Sequence, residues 1–510
     1  MNEIQTPTFS VNASRLHSLI NNFAGKRVLV IGDMVADEYL IGKPTRIARE
    51  APILILELDE ERTIPGGATN VAVNARTLGA EVFLAGVVGD DLPGQRLRRA
   101  IGDFQMYQEG LITDPQRPTS TKTRIIAGSP QIVQQHIVRV DRVDNSEVSE
   151  PIKGQIIEYI RQVLPAMDAV VLSDYENGVI SPDIIAACIP MARELGKVIA
   201  VDSHGSLFRF QGVTALTPNQ PEAELTLKMS ITNQDGLNEA GQRLLEGSHA
   251  QGVLITRGSE GMSLFEVGKP PIHLPIHQLP YTSEVVDTNG AGDTVAATFT
   301  LALTTGASMA EAAYMANAAA ALVVRRLGCA SNTPEQLIGA ISNKIMGRKE
   351  LAAEVRRRQR EGERCVFTNG CFDLLHVGHV RYLQEARALG DFLVLGLNSD
   401  ASVRQLKGPG RPLVPEGKRA EILAALACVD YVTIFNEPTA GPLVNLLQPA
   451  IYVKGGDYAN AESGTPDLSR LPEAKVVREY GGTLHLIPYL PQNSTTELIA
   501  TIKQLPEQSL

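Results

Sequence analysis

The stretch Asp287-Thr288-Asn289-Gly290-Ala291-Gly292-Asp293-Thr294 stands immediately before a run of small apolar residues, 295–300. The run predicts a helix, and Gly290 and Gly292 allow the preceding turn to adopt positive φ and to approach a ligand closely. A helix that begins there offers N–H groups to an anion, with Asp293 in its first turn. Phosphoryl transfer to an alcohol needs both features, a phosphate cradle and a carboxylate base. The plainer alternative is a glycine-containing helix start with a capping aspartate.

This stretch resembles the C-terminal signature of the ribokinase-like sugar kinases, whose usual form is D-T-T-G-A-G-D. In that family the last aspartate is the catalytic base, which implies Asp293. The family's anion hole is implied here for Gly290, Ala291 and Gly292. Asn289 departs from the usual threonine, so one hydroxyl is lost from the turn.

Composition bounds the class of protein. A chain of 510 residues is too long for one core and predicts two or three domains. Its net charge of −10 argues against binding to nucleic acid or an anionic membrane. Five cysteines without a close metal-type pair indicate a reducing compartment. With no signal segment and no run of transmembrane length, we expect a soluble, cytoplasmic enzyme.

Apolar runs that end in polar residues recur along the first part of the chain and predict a doubly wound, parallel α/β sheet. The first such run, 27–32, puts Asp33 at the sheet edge where ligands bind, although a turn or cap role is equally open. Segments 41–63 and 121–143 alternate polar and apolar residues and predict a protruding β-flap. The segment 65–70, P-G-G-A-T-N, opens a helix, and its glycines allow close approach of a ligand.

The sugar-kinase resemblance implies roles for these segments. The flap would act as a lid on the sugar and as the interface of a homodimer. The resemblance implies sugar contacts for Asp33, Gly66, Gly67, Asn70 and, from a flap piece similar to heptose kinases, Arg46. For Arg46 the alternative is a solvated charge on an edge strand. Contacts to the kinase nucleotide are implied for Asn219, Glu222, Thr256, Gly258, Gly261 and Asn317, with Glu222 acting on Mg²⁺ indirectly.

Two positions depart from the heptose-type pattern. D-Y-x-K-G and D-P-K-G are expected, but the chain has D-Y-E-N-G at 174–178 and D-S-H-G at 202–205. Asn177 and His204 therefore replace two lysines. Since a cation beside a transferring phosphoryl group stabilises its charge, the change predicts a weaker kinase, a shifted nucleotide or compensation by Arg257.

Residues 337–364 are rich in basic side chains, with Ala and Leu at helical spacing. They predict a solvated linker helix at 341–362, which separates a kinase domain, 1–340, from a second domain, 363–510. A nucleic-acid patch is the alternative, but no aromatic residues interleave and neighbouring glutamates partly neutralise the segment.

The second chemical stretch is 368–379, T-N-G-C-F-D-L-L-H-V-G-H. Paired imidazoles at a helix start can donate hydrogen bonds to a nucleotide α-phosphate as pyrophosphate leaves, which is the role we predict for His376 and His379. A metal pair and a pair of caps are the alternatives, and no further ligands complete a metal set nearby.

The pattern G-x-F-D-x-x-H-x-G-H resembles the nucleotidyltransferases of the cytidylyltransferase type and implies a smaller, Rossmann-like α/β domain. Nucleotide contacts are implied for Asn369, Gly370, Phe372, Asp373, Gly378, Lys407, Arg411, Lys454, Gly455, Asp457, Ser494, Thr495 and Thr496.

The two halves in this order resemble the bifunctional heptose 7-phosphate kinases and heptose 1-phosphate adenylyltransferases over nearly the whole chain. The resemblance implies that ATP and Mg²⁺ serve to phosphorylate the anomeric hydroxyl of D-glycero-D-manno-heptose 7-phosphate. A separate phosphatase then acts, and the second domain joins AMP to heptose 1-phosphate, which yields ADP-heptose for lipopolysaccharide. The rival readings are another sugar or polyol phosphate with CTP, and a kinase half that only binds sugar phosphate.

Overall fold

The computed structural model describes residues 13–129, 132–277, 285–326, 328–341, 344–455 and 471–488. The chain forms two compact units, Met1–Ser342 and Asn343–Leu510. Within the described ranges, no helix has both the length and the apolar character that a membrane span requires.

The first unit alternates strands and helices along the chain. Its described strands are β1 (Arg27–Gly32), β2 (Met34–Ile47), β3 (Leu54–Gly67), β4 (Glu81–Gly89), β5 (Tyr107–Asp114), β6 (Ser120–Ser129), β7 (Ile132–Arg142), β8 (Ala169–Asp174), β9 (Val198–Ser203), β10 (Ala215–Leu216), β11 (Gly252–Thr256), β12 (Met262–Glu266) and β13 (Ile272–Leu274). Its described helices are α1 (Ala13–Asn21), α2 (Ala68–Thr77), α3 (Leu92–Asp103), α4 (Glu150–Val163), α5 (Pro182–Glu194), α6 (Gln220–Leu227), α7 (Gln234–Ser248), α8 (Ala291–Thr304), α9 (Met309–Val323) and α10 (Pro334–Ile341).

The main sheet of this unit has the order β13-β12-β11-β10-β9-β8-β1-β4-β5 within the described residues. The strands from β11 to β5 pair in parallel, and β12 and β13 add an antiparallel edge. Separate apolar clusters cover the two faces, one built with α2, α8 and α9 and the other with α4, α5 and α7. The doubly wound sheet predicted from the sequence is confirmed, and its parallel strands direct their carboxyl ends to one edge.

The flap is a second sheet, of order β3-β2-β6-β7. It begins earlier than the sequence pattern suggested, because β2 starts at Met34, one residue after Asp33. The first half of β2 is largely buried, and its last five residues, 43–47, are exposed. The base of the flap therefore belongs to the core, and its far end projects into solvent.

The second unit is a five-stranded parallel sheet of order β16-β15-β14-β17-β18 with apolar clusters on both faces. Its described strands are β14 (Cys365–Gly370), β15 (Phe392–Asn398), β16 (Tyr431–Phe435), β17 (Ile451–Gly455) and β18 (Thr483–Ile487). Its described helices are α11 (Arg348–Arg360), α12 (Val377–Ala388), α13 (Asp400–Lys407), α14 (Glu416–Ala424), α15 (Gly441–Leu447) and α16 (Glu473–Glu479). This is the Rossmann-like arrangement that the second motif implied.

Helix α11 differs from the solvated linker predicted at 341–362. Leu351, Ala352 and Val355 are buried in the apolar core of the second unit, and the Arg358 guanidinium lies 4.0 Å from the ring centroid of Phe392. The prediction weighed the many basic residues, but their spacing leaves one apolar stripe that the sheet covers. The segment is thus an integral helix of the second unit.

Candidate active sites

Asp293 lies in the first turn of α8 and is buried. Its two carboxylate oxygens accept separate hydrogen bonds: Asn70 Nδ2 donates to Oδ2 at 2.6 Å, and the Tyr175 hydroxyl donates to Oδ1 at 2.9 Å. Burial raises the pKa of Asp293, and both donors oppose that rise by stabilising the carboxylate. A carboxylate so held is suited to accept a proton from a substrate hydroxyl.

The start of α8 is open to an anion. Gly290 is the N-cap, with φ +76°, and no side chain caps the helix. A Cβ on Gly290 would lie 2.6 Å from Asn70 Nδ2, so both backbone conformation and space require glycine. The first N–H groups of a helix lack partners within it, which leaves the N–H of Gly292 for an incoming ligand, while the N–H of Ala291 donates to the Thr288 carbonyl at 3.3 Å. The geometry suits the predicted anion hole.

Asn70 is held by a chain of buried polar side chains. Asn74 Nδ2 donates to the Asn70 carbonyl at 2.9 Å, and Thr294 Oγ1 donates to Asn74 Oδ1 at 2.9 Å. The sequence predicted a direct sugar contact for Asn70. In the structure its amide donates to Asp293 and so orients that carboxylate, and the sugar contact stays a prediction.

Asp33 is held by main-chain donors, and its contact with the sugar stays a prediction. It is 1% exposed, and it accepts main-chain N–H bonds from Tyr175 at 2.8 Å, from Asn177 at 3.1 Å and from Val179 at 3.1 Å. Burial raises the pKa of Asp33 to about 6 against the effect of these donors. The carboxylate is committed to the loop after β8, which it holds in place.

Asp37 is a polar residue that the sequence reading missed. It is buried on β2 and pairs with Arg124 Nη1 of β6 at 2.8 Å. A Cβ on Gly66 would lie 2.6 Å from Asp37 Oδ2, and one on Gly67, where φ is +55°, would lie 2.7 Å from the Asp33 carbonyl. The two signature glycines therefore lie against this aspartate pair. The two-residue alternation of β2 is the signal that could have placed Asp37 on the inner face.

Arg46 is not brought to this cluster. It is exposed in the distal part of β2, nine residues beyond Asp37. At about 3.3 Å per residue, that separation along an extended strand is roughly 30 Å. The predicted sugar contact would need the flap of another molecule or a large movement of this one.

The two positions that lack lysine are occupied by uncharged or partly charged groups. Asn177 is buried, and its Nδ2 lies 3.4 Å from Ser120 Oγ. His204 Nδ1 lies 2.5 Å from Glu222 Oε1, and its ring meets the Tyr175 ring edge-on at a centroid distance of 4.4 Å. The hydrogen bond to Glu222 raises the pKa of His204.

A lysine of the flap lies beside Tyr175, close to Asp293. Lys122 of β6 has its Nζ 4.7 Å from the ring centroid of Tyr175, whose hydroxyl contacts Asp293. In the described part of the chain no carboxylate pairs with Lys122. Arg257, suggested as a compensating cation, instead pairs with Glu260 in its own loop. Lys122 was missed because nothing in a strand sequence shows which ligand site the strand will cover.

The predicted nucleotide loops lie side by side. Asn219 caps α6 in a reciprocal capping box with Glu222, and a parallel bridge joins it to Thr256 at the end of β11. Gly258 and Gly261 have φ of +53° and +82°, and a Cβ on Gly261 would lie 2.1 Å from the Leu274 carbonyl. Both carboxylate oxygens of Glu222 accept hydrogen bonds from Asn219, and its indirect action on Mg²⁺ stays a prediction.

Asn317 is buried in α9, and its Nδ2 donates to the Pro275 carbonyl at 2.6 Å. That bond fixes the chain after β13. The Nδ2 group is therefore engaged with protein, and the contact of Asn317 with adenine stays a prediction.

In the second unit, His376 is the N-cap of α12 and His379 lies in its first turn. Their ring centroids are 3.8 Å apart, and neither buried Nδ1 has a hydrogen-bond partner among the described residues. Burial lowers the pKa of both, to about 4 for His379, where His376 and Lys407 add to the effect. Both imidazoles are thus neutral at pH 7. Gly378 lies between them in the first turn of α12.

Asp373 and Arg411 contact each other through Oδ2 and Nε at 2.9 Å. Asp373 Oδ1 also accepts the N–H groups of Leu413, at 2.7 Å, and Val414, at 3.1 Å. Asp373 therefore holds the loop after α13 close to the histidine pair. Phe372, with φ +44°, turns the chain between β14 and α12.

The far side of the site is built on β14 and β17. Tyr452 OH donates to Asn369 Oδ1 at 2.8 Å, and Lys454 Nζ donates to the Asn369 carbonyl at 3.3 Å. Gly370 and Gly455 end the two strands at the same sheet edge. These positions suit the predicted nucleotide contacts. Asp457, Ser494, Thr495 and Thr496 lie outside the described residues.

Arg419 organises this edge and was not assigned to the site from sequence. It is 1% exposed and donates to the carbonyls of Val414 at 2.8 Å, Cys371 at 2.6 Å and Asn398 at 2.9 Å. Its Nη2 also pairs with Asp400 at 2.6 Å. One buried guanidinium therefore ties together three loops of the site.

Comparison with known proteins follows the same division of the chain. The pfkB family of carbohydrate kinases matches residues 26–336, and the cytidylyltransferase-like family matches residues 367–500. The bifunctional protein HldE of Geotalea uraniireducens (strain Rf4) is 42% identical over 496 residues, which cover 96% of this chain and 98% of that protein. The chain belongs to the HldE family.

A second HldE relative, from Helicobacter pylori (strain ATCC 700392 / 26695), is 39% identical over 94% of this chain and 99% of its own length. Among solved structures, phosphofructokinase-2 from Escherichia coli has a TM-score of 0.50 at 19% identity and covers 62% of this chain and 99% of that chain. This last likeness concerns the fold alone. Membership of the HldE family makes the chain both a kinase and a nucleotidyltransferase, as the two motifs predicted.

Proposed function

We propose that the chain catalyses two steps of ADP-heptose synthesis for lipopolysaccharide. The first unit phosphorylates the anomeric hydroxyl of D-glycero-D-manno-heptose 7-phosphate with ATP, and the second transfers AMP from ATP to heptose 1-phosphate. The observation that carries the first step is the buried Asp293, held by two donors at the open start of α8. The HldE relatives support the pairing of the two activities. An ATP-consuming enzyme with five free cysteines suits the cytoplasm.

In the kinase step, Asp293 accepts the proton of the anomeric hydroxyl while its oxygen attacks the γ-phosphorus of ATP. The bond to the β-phosphate oxygen breaks, and ADP leaves. The N–H groups at the start of α8 stabilise the negative charge on the phosphoryl oxygens during transfer. Because these donors are fixed before the reaction, they need no reorganisation as charge develops.

Mg²⁺ fits this unit as an ion held mainly by nucleotide and water. No cluster of three or more His, Cys, Asp or Glu suited to a metal occurs among the described residues. Mg²⁺ commonly keeps several waters and takes one or two carboxylates plus substrate phosphates, which matches Glu222 acting through water. When bound, it would neutralise charge on the β- and γ-phosphates.

In the transfer step, a phosphate oxygen of heptose 1-phosphate attacks the α-phosphorus of ATP, and pyrophosphate leaves. His376 and His379 are neutral, so each carries one N–H that can donate to the phosphate oxygens. Lys407 and Arg411, on the adjoining helix and loop, would bind the departing pyrophosphate. Parallel assays of pyrophosphate release with ATP and with CTP test the proposed base preference.

Lys122→Met is expected to lower kinase kcat about 100-fold and to leave adenylyl transfer unchanged. The reason is the loss of a fixed cation beside the transferring phosphoryl group, where none of the expected lysines is present. Steady-state assays of ADP release measure the effect. Lys43→Met, which removes an exposed flap lysine that pairs with Asp59, is the matched control. Equal kinase activity in both variants would exclude this role for Lys122.

We also propose that the chain forms a homodimer through the flap. Val138 and Val140 lie on one face of β7 and are 47% and 54% exposed. A double change of both to glutamate is expected to convert dimers to monomers, because it places charges in an apolar contact. Light scattering after gel filtration measures the mass. Leu225→Glu, at an exposed leucine of α6 outside the flap, should leave the mass unchanged. A monomeric wild-type chain would refute the proposal.

A further inference from the structure

Tyr175 connects the catalytic base to the surrounding loops. Its hydroxyl donates to Asp293 Oδ1 at 2.9 Å, and Asn70 Nδ2 donates to Asp293 Oδ2 at 2.6 Å. A tyrosine has two side-chain torsions, so its hydroxyl is well placed only when its own main chain is fixed. The position of that main chain is therefore decisive.

The loop that carries Tyr175 is fixed by one buried carboxylate. Asp33 accepts N–H bonds from Tyr175, Asn177 and Val179, three alternate residues of the loop, at 2.8 to 3.1 Å. Asp174, just before the loop, accepts a bond from Ser203 Oγ at 2.8 Å. Charge-assisted bonds of this kind are stronger than neutral ones and hold the loop rigidly.

The Tyr175 ring is held on two further sides. His204 meets it edge-on at 4.4 Å between centroids, and Lys122 of the flap lies over it at 4.7 Å. The ring thus lies between a group after β9 and a group of the flap. Together with the loop after β8 that carries Tyr175, three separate parts of the fold determine the orientation of the ring.

We propose that Tyr175 is a positioning residue for the kinase reaction, which orients the Asp293 carboxylate and keeps it ionised. The proposal rests on the proposed role of Asp293 as the base. Asp33 acts one step further out, because it holds the loop that aims the Tyr175 hydroxyl. Neither Asp33 nor Tyr175 needs to touch the sugar to do this.

Several titratable and charged groups near Asp293 also influence its pKa. Asp37 from β2 and Asp202 at the end of β9 favour its protonated form, and His204 favours the carboxylate. Cys329 also faces it, and burial keeps that thiol protonated by raising its pKa. Lys122 lies over the Tyr175 ring and close to His204. None of these groups replaces a direct hydrogen bond to Oδ1.

The test is the pH profile of kinase kcat/KM in the full-length Tyr175→Phe protein. Loss of a donor to the carboxylate raises the pKa of Asp293, so the acid limb should move up by about one pH unit. Activity should fall most at low pH and recover at high pH. Tyr107→Phe, which removes an exposed hydroxyl from a ring stacked on Phe83, is the matched control and should retain the wild-type profile.

Site-specific 3-fluorotyrosine at position 175 provides a second arm that preserves the shape of the side chain. Its hydroxyl is a stronger donor, so the acid limb should move down instead of up. A purely structural role cannot produce shifts of opposite sign. Acid limbs that coincide with wild type in both proteins would overturn the proposal. Failure of the base assignment is distinguished by Asp293→Asn, which would then retain kinase activity.

Discussion

Asp293→Asn is expected to reduce kinase kcat by about 10³-fold or more while adenylyl transfer continues at the wild-type rate. The amide has nearly the same shape as the carboxylate but cannot accept the hydroxyl proton. In the unsubstituted protein Asn70 and the Tyr175 hydroxyl donate to the two carboxylate oxygens. The amide NH2 of the variant would face one of these donors, which makes that contact unfavourable. Separate assays of ADP release with heptose 7-phosphate and of pyrophosphate release with heptose 1-phosphate measure the two reactions.

Asp103→Asn, at the exposed C-terminal end of α3, is the matched control and should leave both reactions unchanged. A folded Asp293→Asn protein with more than one-tenth of the wild-type kinase activity would contradict the base assignment. Loss of both activities in a folded variant would contradict the independence of the two sites.

His376→Ala is expected to reduce adenylyl transfer about 10²- to 10³-fold and to spare the kinase, because it removes a donor to the α-phosphate oxygens. The rings of His376 and His379 are tilted by 31° with centroids 3.8 Å apart, so the substitution also leaves His379 less well oriented. Pyrophosphate release under saturating ATP measures the loss.

His485→Ala serves as the comparison, since that histidine is exposed on β18 in the same unit. Transfer activity that survives His376→Ala at the level of His485→Ala would rule out the imidazole pair as the charge-stabilising group.

The architecture was predictable because it follows from local patterns. Buried parallel strands such as 28–32 form continuous apolar runs, and the flap strands alternate, so both sheets can be read from period alone. Two features were not predictable: where the flap begins, and that α11 packs into the second unit. The flap begins at Met34 because β2 pairs with β3 up to Gly67, and α11 is covered by the sheet of the second unit. Both depend on contacts between distant segments.

The site was predictable where a motif carries its own geometry, as at Gly290 and Asp293, because the turn and the helix start are local. It was not predictable where the partner is far along the chain. Asp33 accepts hydrogen bonds from main-chain groups more than 140 residues further along the sequence. Asn70 donates to Asp293, which is 223 residues further along. Lys122 reaches the site only through the pairing of β6 with β2.

The central claim is that one chain carries two separate phosphate-handling sites that act on the same sugar. Phosphorus NMR of the full-length protein with heptose 7-phosphate, ATP and Mg²⁺ tests it most directly. We predict a new anomeric phosphate signal with ADP, and then, after removal of the 7-phosphate, signals of ADP-heptose and pyrophosphate. Absence of the anomeric signal, or of ADP-heptose when heptose 1-phosphate is supplied, would contradict it.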